Sequence, residues 1–228
     1  MSRKLTLQSI EPLTHDVHRL VFDRPPGLAF EPGQAMDMAL DRDGWREERH
    51  PFTMTSLPGE DHLEFVIKSY PESAEGHAGM TARIGRMSPG DSVLVEEPWG
   101  AIEDRGDGVF IAGGAGVTPF IAILRRKLEA RGTLEGNTLV FSNKAEADII
   151  LRGEFEAMPG LKSVFVVTGE EESPHYRERI DGELLAQLVE PGRDLCYVCG
   201  PDPMLDDMTG ALRGIGVDEA RIVTEEFD

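Results

Sequence analysis

The first hundred residues alternate between apolar and polar positions over short stretches of chain. Six such stretches can be recognised: Leu5 to Ile10, Val17 to Phe22, Met36 to Leu40, Phe52 to Thr55, Leu63 to Ile67 and Val93 to Val95. Turn-forming segments separate several of them, among them RPPG, DRDG, LPGE and SPGD. Short alternating strands at this spacing predict an antiparallel sandwich or barrel. One helix is expected to interrupt it, near GMTARIGRM.

The pattern changes after EDRGDG, residues 103–108, which we interpret as a linker. Apolar runs that predict strands follow it, namely VFIAGG, NTLVFS, LKSVFVVT, DLCYVCG and RIVTEEF. Helical stretches lie between them: TPFIAILRRKLEARG, residues 152–158, DGELLAQLV and PMLDDMTGALRGIG. Strands that alternate with helices predict a doubly wound parallel sheet with helices on both faces. We therefore predict two domains, a β-barrel over residues 1–103 and an α/β domain over residues 104–228.

Composition agrees with two domains and narrows the possible partners. The chain has 228 residues and is 40% hydrophobic, which is enough for two cores of about 100 residues each. Its net charge of −19 argues against nucleic acid or an anionic membrane as the main partner, because both need a cationic protein face. The N-terminal MSRKLTLQSI lacks the apolar core of a signal peptide, and no apolar run approaches the roughly 18 residues of a membrane span. With only two cysteines, a reducing, cytoplasmic location is expected.

The segment IAGGAGVTPF leads from a predicted strand into a predicted helix with Pro119 in its first turn. Gly113, Gly114 and Gly116 allow the backbone to turn tightly and a ligand to approach it without meeting a Cβ atom. The unpaired amides at the start of the helix suit a phosphate group. The spacing differs from the GxGxxG fingerprint of dinucleotide-binding folds, so a tight turn with nothing bound stays a possible explanation.

Both cysteines lie in CYVCGPDPM, residues 196–204. A redox dithiol needs both sulfur atoms on one side, but two residues three positions apart in a strand point to opposite faces. A structural zinc site needs two more ligands, and the six histidines lie far away in the sequence. We therefore predict no metal site. Cys196 is expected in the core, and Cys199, at the carboxyl end of its strand, is expected to face a ligand crevice.

Taken together, five motifs resemble those of the ferredoxin–NADP reductase superfamily, and most of all its short bacterial flavodoxin or ferredoxin reductases. In chain order they are HPFTMTS, GMT, GGAGVTP, CGPDPM and EEF. The resemblance covers nearly the whole chain. It implies a barrel that binds FAD, followed by a domain that binds a nicotinamide dinucleotide.

The resemblance implies a flavin site with an unusual motif. The family motif is Arg-x-Tyr-Ser, whereas this chain has His50-Pro51-Phe52-Thr53, similar to the variant in ferric reductases and NADPH oxidases. Thr53 would then donate a hydrogen bond near flavin N5 and Phe52 would pack beside the isoalloxazine. His50 would contact a phosphate group, assisted by Arg49. The full implied FAD set is Arg49, His50, Pro51, Phe52, Thr53, Ile67, Lys68, Gly79, Met80 and Thr81.

For the second domain, the resemblance implies a dinucleotide site formed by Gly113, Gly114, Gly116, Thr118, Pro119, Ser142, Lys144, Cys199, Gly200, Pro201 and Met204. Cys199 would lie beside the nicotinamide ring. The residues implied in catalysis are Thr53, Cys199, Glu225 and Phe227. Phe227 would cover the flavin face that the nicotinamide must reach, and Glu225 would position the ring or relay protons.

The function implied is hydride transfer from NAD(P)H to FAD, followed by transfer of single electrons to a flavodoxin or ferredoxin. Two alternatives stay open: a reductase of ferric chelates or free flavin, and a non-catalytic nucleotide-binding subunit of a larger oxidoreductase. Three glutamates in VVTGEEES favour NADH over NADPH, because they would repel a 2′-phosphate unless Lys144 turns toward it. Candidates for a basic face that docks the carrier are Arg42, Arg46, Arg49, Arg83 and Arg86.

Overall fold

The protein is described from a computed structural model, over residues 2–70, 79–100 and 102–224. The chain divides into two compact units, residues 1–103 and residues 104–228. Two of the residues with an expected catalytic role, Glu225 and Phe227, lie outside the described residues.

The first unit is a nearly closed antiparallel barrel. Its described elements are β1 (Arg3–Pro12), β2 (Val17–Asp23), β3 (Ala35–Leu40), β4 (His50–Thr53), β5 (His62–Lys68), the short helix α1 (Met80–Ile84) and β6 (Ser92–Val95). The strand order is β4-β3-β6-β1-β2-β5. A bridge between Met54 and Phe65 joins the chain just after β4 to β5, the strand at the far end of the sheet. The predicted antiparallel barrel is therefore confirmed.

The apolar pattern of β1 changes phase within the strand, and a bulge accounts for the change. Leu5 and Leu7 are buried two positions apart, whereas the next apolar residue, Ile10, comes three positions later. Between Leu7 and Ser9 the register with β2 shifts, so that β1 contains one residue more than its partner. A bulge of this kind moves the following side chains to the opposite face. Ile10 consequently packs against the barrel core, although it is only partly buried.

The second unit is a parallel five-stranded sheet. Its strands are β7 (Gly108–Gly113), β8 (Thr138–Asn143), β9 (Lys162–Val167), β10 (Leu195–Cys199) and β11 (Ile222–Thr224), and its described helices are α2 (Thr118–Arg131), α3 (Arg152–Ala157), α4 (Gly182–Leu188) and α5 (Asp202–Gly214). The order β11-β10-β7-β8-β9 places the first strand in the middle, so that the chain builds the sheet outward in both directions. The predicted doubly wound sheet is confirmed. Its switch point lies between β7 and β10, the place where such sheets bind ligands.

Both faces of this sheet are covered, which explains why its strands are apolar at nearly every position. On one face, Cys196 and Val198 share an apolar cluster with α4 and α5. On the other face, the ring of Tyr197 stacks on Phe110 with 4.4 Å between the ring centroids. Phe120 of α2 contacts Phe110 edge-on at 5.2 Å. The alternation along β10 thus sends neighbouring side chains into two separate layers.

Helix α2 begins and ends at residues that stop a helix from extending. Pro119 occupies the first turn, where no intrahelical N–H is needed. At the other end, Gly132 adopts a left-handed φ of 72°, and its N–H donates to the carbonyl of Leu128 at 2.7 Å. With 14 residues, α2 is short compared with a membrane span. Across the described ranges, none of the helices has both the length and the apolar character needed to traverse a bilayer.

Candidate functional site

The turn after β7 contains three glycines, and the structure explains them in two different ways. Cβ atoms added to Gly113 and Gly116 would come within 2.4 Å of the Met204 sulfur and of the Cys199 carbonyl oxygen, respectively. Gly114 has a φ of 54°, and an added Cβ there would meet open space. Packing against the Cys199 main chain therefore requires glycine at position 116, whereas the Met204 side chain near Gly113 could move. The sequence had suggested ligand access for all three glycines. Of the three glycines, only Gly114 has open space where a Cβ atom would lie.

The turn continues into α2 through one turn of 3-10 helix, Gly114–Val117. The Thr118 hydroxyl donates to the carbonyl oxygen of Ala115 at 3.0 Å, which closes the turn, and Pro119 follows. The Thr118 N–H also donates to the Ala115 carbonyl, and Pro119 has no N–H. The amides without a partner in the helix are therefore those at the start of the 3-10 turn, and they carry a partial positive charge. The arrangement can therefore receive an anionic group at the carboxyl edge of the sheet.

The loop after β10 packs against this turn. A Cβ added to Gly200 would lie 3.0 Å from the Met204 sulfur and 3.3 Å from the backbone nitrogen of Gly113. The Met204 N–H donates to the carbonyl of Pro201 at 2.8 Å as α5 begins. The structure thus brings together most of the dinucleotide set expected from the sequence, namely Gly113, Gly116, Cys199, Gly200, Pro201 and Met204.

The two cysteines occupy different surroundings, and neither forms a disulfide. Cys196 is fully buried in the cluster beneath α4 and α5, as the sequence predicted. Burial raises the pKa of its thiol to about 12, and the nearby Asp194 carboxylate adds to the rise. Cys199 is the last residue of β10 and is itself 7% exposed, so only a small part of it reaches the edge of the sheet. In the described ranges, no cluster of His, Cys, Asp and Glu is suited to a metal ion.

Next to β7, strand β8 ends in Ser142 and Asn143, and Lys144 follows. Ser142 is half-buried and Lys144 is exposed, with its carbonyl accepting a hydrogen bond from Gly169 at 2.8 Å. Asn143 is buried, and its amide Nδ2 has no hydrogen-bond partner among the described residues. Sequence reasoning selected both neighbours and missed Asn143. The available signal was a polar amide at the carboxyl end of an apolar strand.

The acidic segment after β9 is attached to the end of β8. The Glu170 carboxylate accepts a hydrogen bond from the Glu146 N–H at 3.0 Å. A Cβ on Gly169 would lie 2.8 Å from the carbonyl oxygen of Lys144, so the two loops are in backbone contact. One glutamate of the VVTGEEES segment is therefore held at this edge rather than left to move in solvent.

In the first unit, the motif His50–Thr53 forms β4, which pairs with β3. Thr53 is buried, and Phe52 packs partly against the barrel core. His50 is exposed, and its Nε2 lies 3.3 Å from a carboxylate oxygen of Glu48. Arg49 forms an ion pair with Glu96 at 3.0 Å. Pro51 is exposed. The two expected phosphate contacts, His50 and Arg49, are thus each next to a carboxylate.

The segment Gly79–Thr81 is tied to the end of β5. The Thr81 hydroxyl accepts a hydrogen bond from the Tyr70 N–H at 3.3 Å, and the Thr81 carbonyl accepts one from the Ser69 hydroxyl at 3.2 Å. Of the other residues in the implied FAD set, Met80 and Ile67 bury their side chains in the barrel core. Lys68 is half-buried and forms an ion pair with Asp16 at 3.1 Å.

Comparison with known proteins agrees with this geometry. Residues 2–103 match the FAD-binding domain family. Residues 110–209 match the oxidoreductase NAD-binding domain family. The two matches follow the two compact units and leave few residues uncovered. The chain belongs to the ferredoxin–NADP reductase superfamily. As a member of this superfamily, it combines an FAD-binding with a nicotinamide-dinucleotide-binding domain.

Relatives within the superfamily differ in length. Ferredoxin–NADP reductase B of Sorangium cellulosum is 29% identical over 242 residues, with 97% of this chain and 96% of that protein covered. NADH-cytochrome b5 reductase 2 of Mycosarcoma maydis is 29% identical over 229 residues, and the chain spans 64% of its length. The crystal structure of the flavohem-like FAD/NAD binding domain of nitric oxide dioxygenase from Vibrio cholerae superimposes with a TM-score of 0.85 at 22% identity, covering 99% of this chain and 98% of that one. This last match shows a shared fold.

Proposed function

We propose that this superfamily member is an FAD-dependent NAD(P)H oxidoreductase that takes a hydride from NAD(P)H and passes single electrons to a separate carrier such as a flavodoxin or ferredoxin. The observation that supports the proposal most directly is the backbone packing of Gly116 against Cys199 and Gly200. It brings the start of α2 and the end of β10 together at the switch point of the sheet, where a dinucleotide would bind.

The second unit would bind and orient the dinucleotide. Gly114 leaves room for a phosphate group beside the amides at the start of the 3-10 turn. The Nδ2 atom of Asn143, which has no partner among the described residues, offers a donor that a ribose or phosphate oxygen would satisfy. At the end of β10, Cys199 would present a small side chain to the nicotinamide ring.

The first unit would hold FAD, a cofactor that accepts a hydride and releases electrons one at a time. The Thr53 hydroxyl at the end of β4 would donate a hydrogen bond to the flavin ring, and Phe52 would pack beside it. Gly79 suits the approach of the pyrophosphate, because an added Cβ there would meet open space.

The 2 cysteines of this sequence are too few to hold an iron–sulfur cluster within it, because a cluster takes four such ligands. The Sorangium relative named as a ferredoxin–NADP reductase, which the chain matches over nearly its whole length, supports a carrier of that type. Strong electrostatic docking is not expected, because three of the arginines considered for it are ion-paired with carboxylates: Arg42 with Asp91, Arg46 with Asp41 and Arg49 with Glu96.

Anaerobic reduction tests the proposal. The purified chain is saturated with FAD and mixed with NADH or NADPH, and reduction is measured as the loss of flavin absorbance. The reduced protein is then mixed with flavodoxin, ferredoxin, ferric citrate or FMN, and its reoxidation is measured. We expect rapid bleaching, then faster reoxidation by a protein carrier than by the small acceptors. Faster reoxidation by ferric citrate or FMN would instead support the ferric or free-flavin reductase suggested by the HPFT motif. A chain that retains no FAD would favour the non-catalytic binding subunit.

A further inference from the structure

Arg83 differs from most other arginines of the first unit in its surroundings. In the described residues of that unit, other arginines pair with carboxylates: Arg3 with Glu97, Arg19 with Glu11 and Glu64, Arg42 with Asp91, Arg46 with Asp41 and Asp43, and Arg49 with Glu96. For Arg83, no carboxylate or hydrogen-bond partner is found within residues 2–70, 79–100 and 102–224, and its Nε atom is buried. Arg83 is therefore a cation with a hydrogen-bonding capacity that the described protein does not use.

A tryptophan holds this guanidinium in place. The central carbon of the Arg83 guanidinium lies 4.3 Å from the ring centroid of Trp45, within the range of a cation–π contact. Trp45 is itself anchored, because its ring packs against the barrel core and its backbone N–H donates to the carbonyl of Arg42 at 3.0 Å. A guanidinium that is already ordered loses less conformational entropy when it binds an anion. The contact thus prepares Arg83 for a ligand.

The contact also links two segments expected to hold FAD. Arg83 belongs to α1, directly after Gly79, and the core-facing side chains of that helix are Met80 and Ile84. Trp45 lies in the loop between β3 and β4, the loop that leads into His50. In the motif His50–Thr53, a neutral imidazole offers one hydrogen-bond donor where the family arginine would offer a fork of parallel donors. The cation that the motif lacks is found on α1.

We propose that Arg83, positioned by Trp45, binds the pyrophosphate of FAD through its guanidinium fork. The inference rests on the proposed function, since it assigns a residue to the same flavin site. A dianionic pyrophosphate needs local cations on a chain of net charge −19. Guanidinium is suited to the task, because it can donate two parallel hydrogen bonds to phosphate oxygens. This role differs from carrier docking, for which Arg83 was considered on sequence grounds.

The test measures FAD binding, not turnover. Apoprotein is titrated with FAD, and the dissociation constant is obtained from the quenching of flavin fluorescence at low and at high salt. Arg83→Gln should weaken binding by about ten- to hundredfold at low salt, the size of a lost charged hydrogen bond. The loss should shrink at high salt, because screening weakens the charge contribution in the wild type. Arg83→Lys keeps the charge but not the fork, so its dissociation constant for FAD should fall between those of the wild type and Arg83→Gln.

Two further variants separate phosphate binding from packing. Trp45→Leu keeps an apolar side chain against the core and should weaken FAD binding by about two- to fivefold, since a partly exposed cation–π contact is weak. Arg126→Gln removes the same charge from an exposed arginine of α2 and should leave FAD affinity unchanged. Thermal unfolding of each apoprotein confirms that the fold is intact.

The outcomes distinguish this inference from the proposed function. If Arg83→Gln binds FAD within twofold of the wild type, or if its loss is the same at every salt concentration, Arg83 does not bind the pyrophosphate. If the wild-type chain itself binds no FAD, the proposed function is wrong.

Discussion

The backbone of Gly116 lies directly against the backbone of Cys199. A Cβ atom added to Gly116 would be 2.4 Å from the Cys199 carbonyl oxygen and 2.7 Å from the Cα atom of Gly200. The clash is with main chain, so no change of rotamer could relieve it. The two loops come this close because β7 and β10 are hydrogen-bonded neighbours in the sheet. Glycine at position 116 is thus a consequence of strand order.

The first prediction concerns that contact. Gly116→Ala should lower the free energy of unfolding by about 1–3 kcal/mol, the usual cost of forcing atoms into a filled site. It should also weaken dinucleotide binding, since the turn must shift. Gly210→Ala is the matched control: position 210 lies within α5, and an added Cβ there meets open space. The control should stabilise the chain by about 0.5–1 kcal/mol, because alanine favours the helix. Equal urea midpoints for Gly116→Ala and the wild type would refute the packing argument.

Sequence predicted the features that depend on neighbours along the chain. Alternation identified the barrel strands, and the glycines marked the turn after β7. The contact of Arg83 with Trp45 joins residues far apart in the sequence, and the bridge between Met54 and Phe65 joins the two ends of the barrel sheet. Such contacts depend on which strands become neighbours, and a single sequence contains no local signal for that. The same limit explains why the sequence does not reveal the packing of Gly116 against the Cys199 main chain.

The second prediction concerns Lys127, a buried lysine of α2 that pairs with two carboxylates at the start of the second unit. Its side chain is 3% exposed, and its ammonium lies 2.9 Å from Asp104 and 3.1 Å from Asp107. Burial alone would raise the pKa of Asp107, but hydrogen bonds from Lys127, Arg131 and Asn137 together lower it below its usual range. Asp107→Asn should lower the free energy of unfolding at pH 7 by about 1 kcal/mol, a modest figure because the carboxylate is partly exposed.

The pH dependence of that difference follows from the sign of the shift. A carboxylate with a lowered pKa stabilises the fold fully above its unfolded pKa of about 3.9 and loses the contribution as the pH falls through the folded value. The gap between wild type and Asp107→Asn should therefore be constant from about pH 5 to 7 and shrink below about pH 4. Urea unfolding at several pH values measures it. A gap that stays constant down to pH 2 would show that the charge of Asp107 contributes nothing.

A third prediction concerns thiol reactivity. The pKa of Cys196 is raised from 9.0 to about 12, so its thiolate is far rarer than in an ordinary cysteine. Iodoacetamide at pH 7 should leave Cys196 unmodified in the folded protein and alkylate it after unfolding in urea, as followed by peptide mass spectrometry. Mild oxidation should produce no disulfide between Cys196 and Cys199, because the side chains leave the strand on opposite faces. Detection of that disulfide in folded protein would restore the dithiol hypothesis.

The last prediction concerns the choice of dinucleotide. Glu170 is held at the carboxyl edge of the sheet by the Glu146 N–H, and Lys144 is exposed there, with its carbonyl bonded to Gly169. A 2′-phosphate bound at this edge would meet a fixed carboxylate, and like charges near a protein surface repel by roughly 1–4 kcal/mol at about 4 Å. We therefore expect a higher kcat/KM for NADH than for NADPH.

Removing the charge of Glu170 should narrow the preference for NADH over NADPH. Glu170→Gln keeps an oxygen for the Glu146 N–H, and it should raise kcat/KM for NADPH about fivefold or more, the equivalent of roughly 1 kcal/mol. The value for NADH should change by less than about twofold, because NADH carries no 2′-phosphate to be repelled. Glu183→Gln on α4 removes an equal charge from another helix and should leave the ratio of the two values unchanged. A wild-type chain that prefers NADPH, or a Glu170→Gln variant with an unaltered ratio, would mean that this carboxylate does not face the ribose.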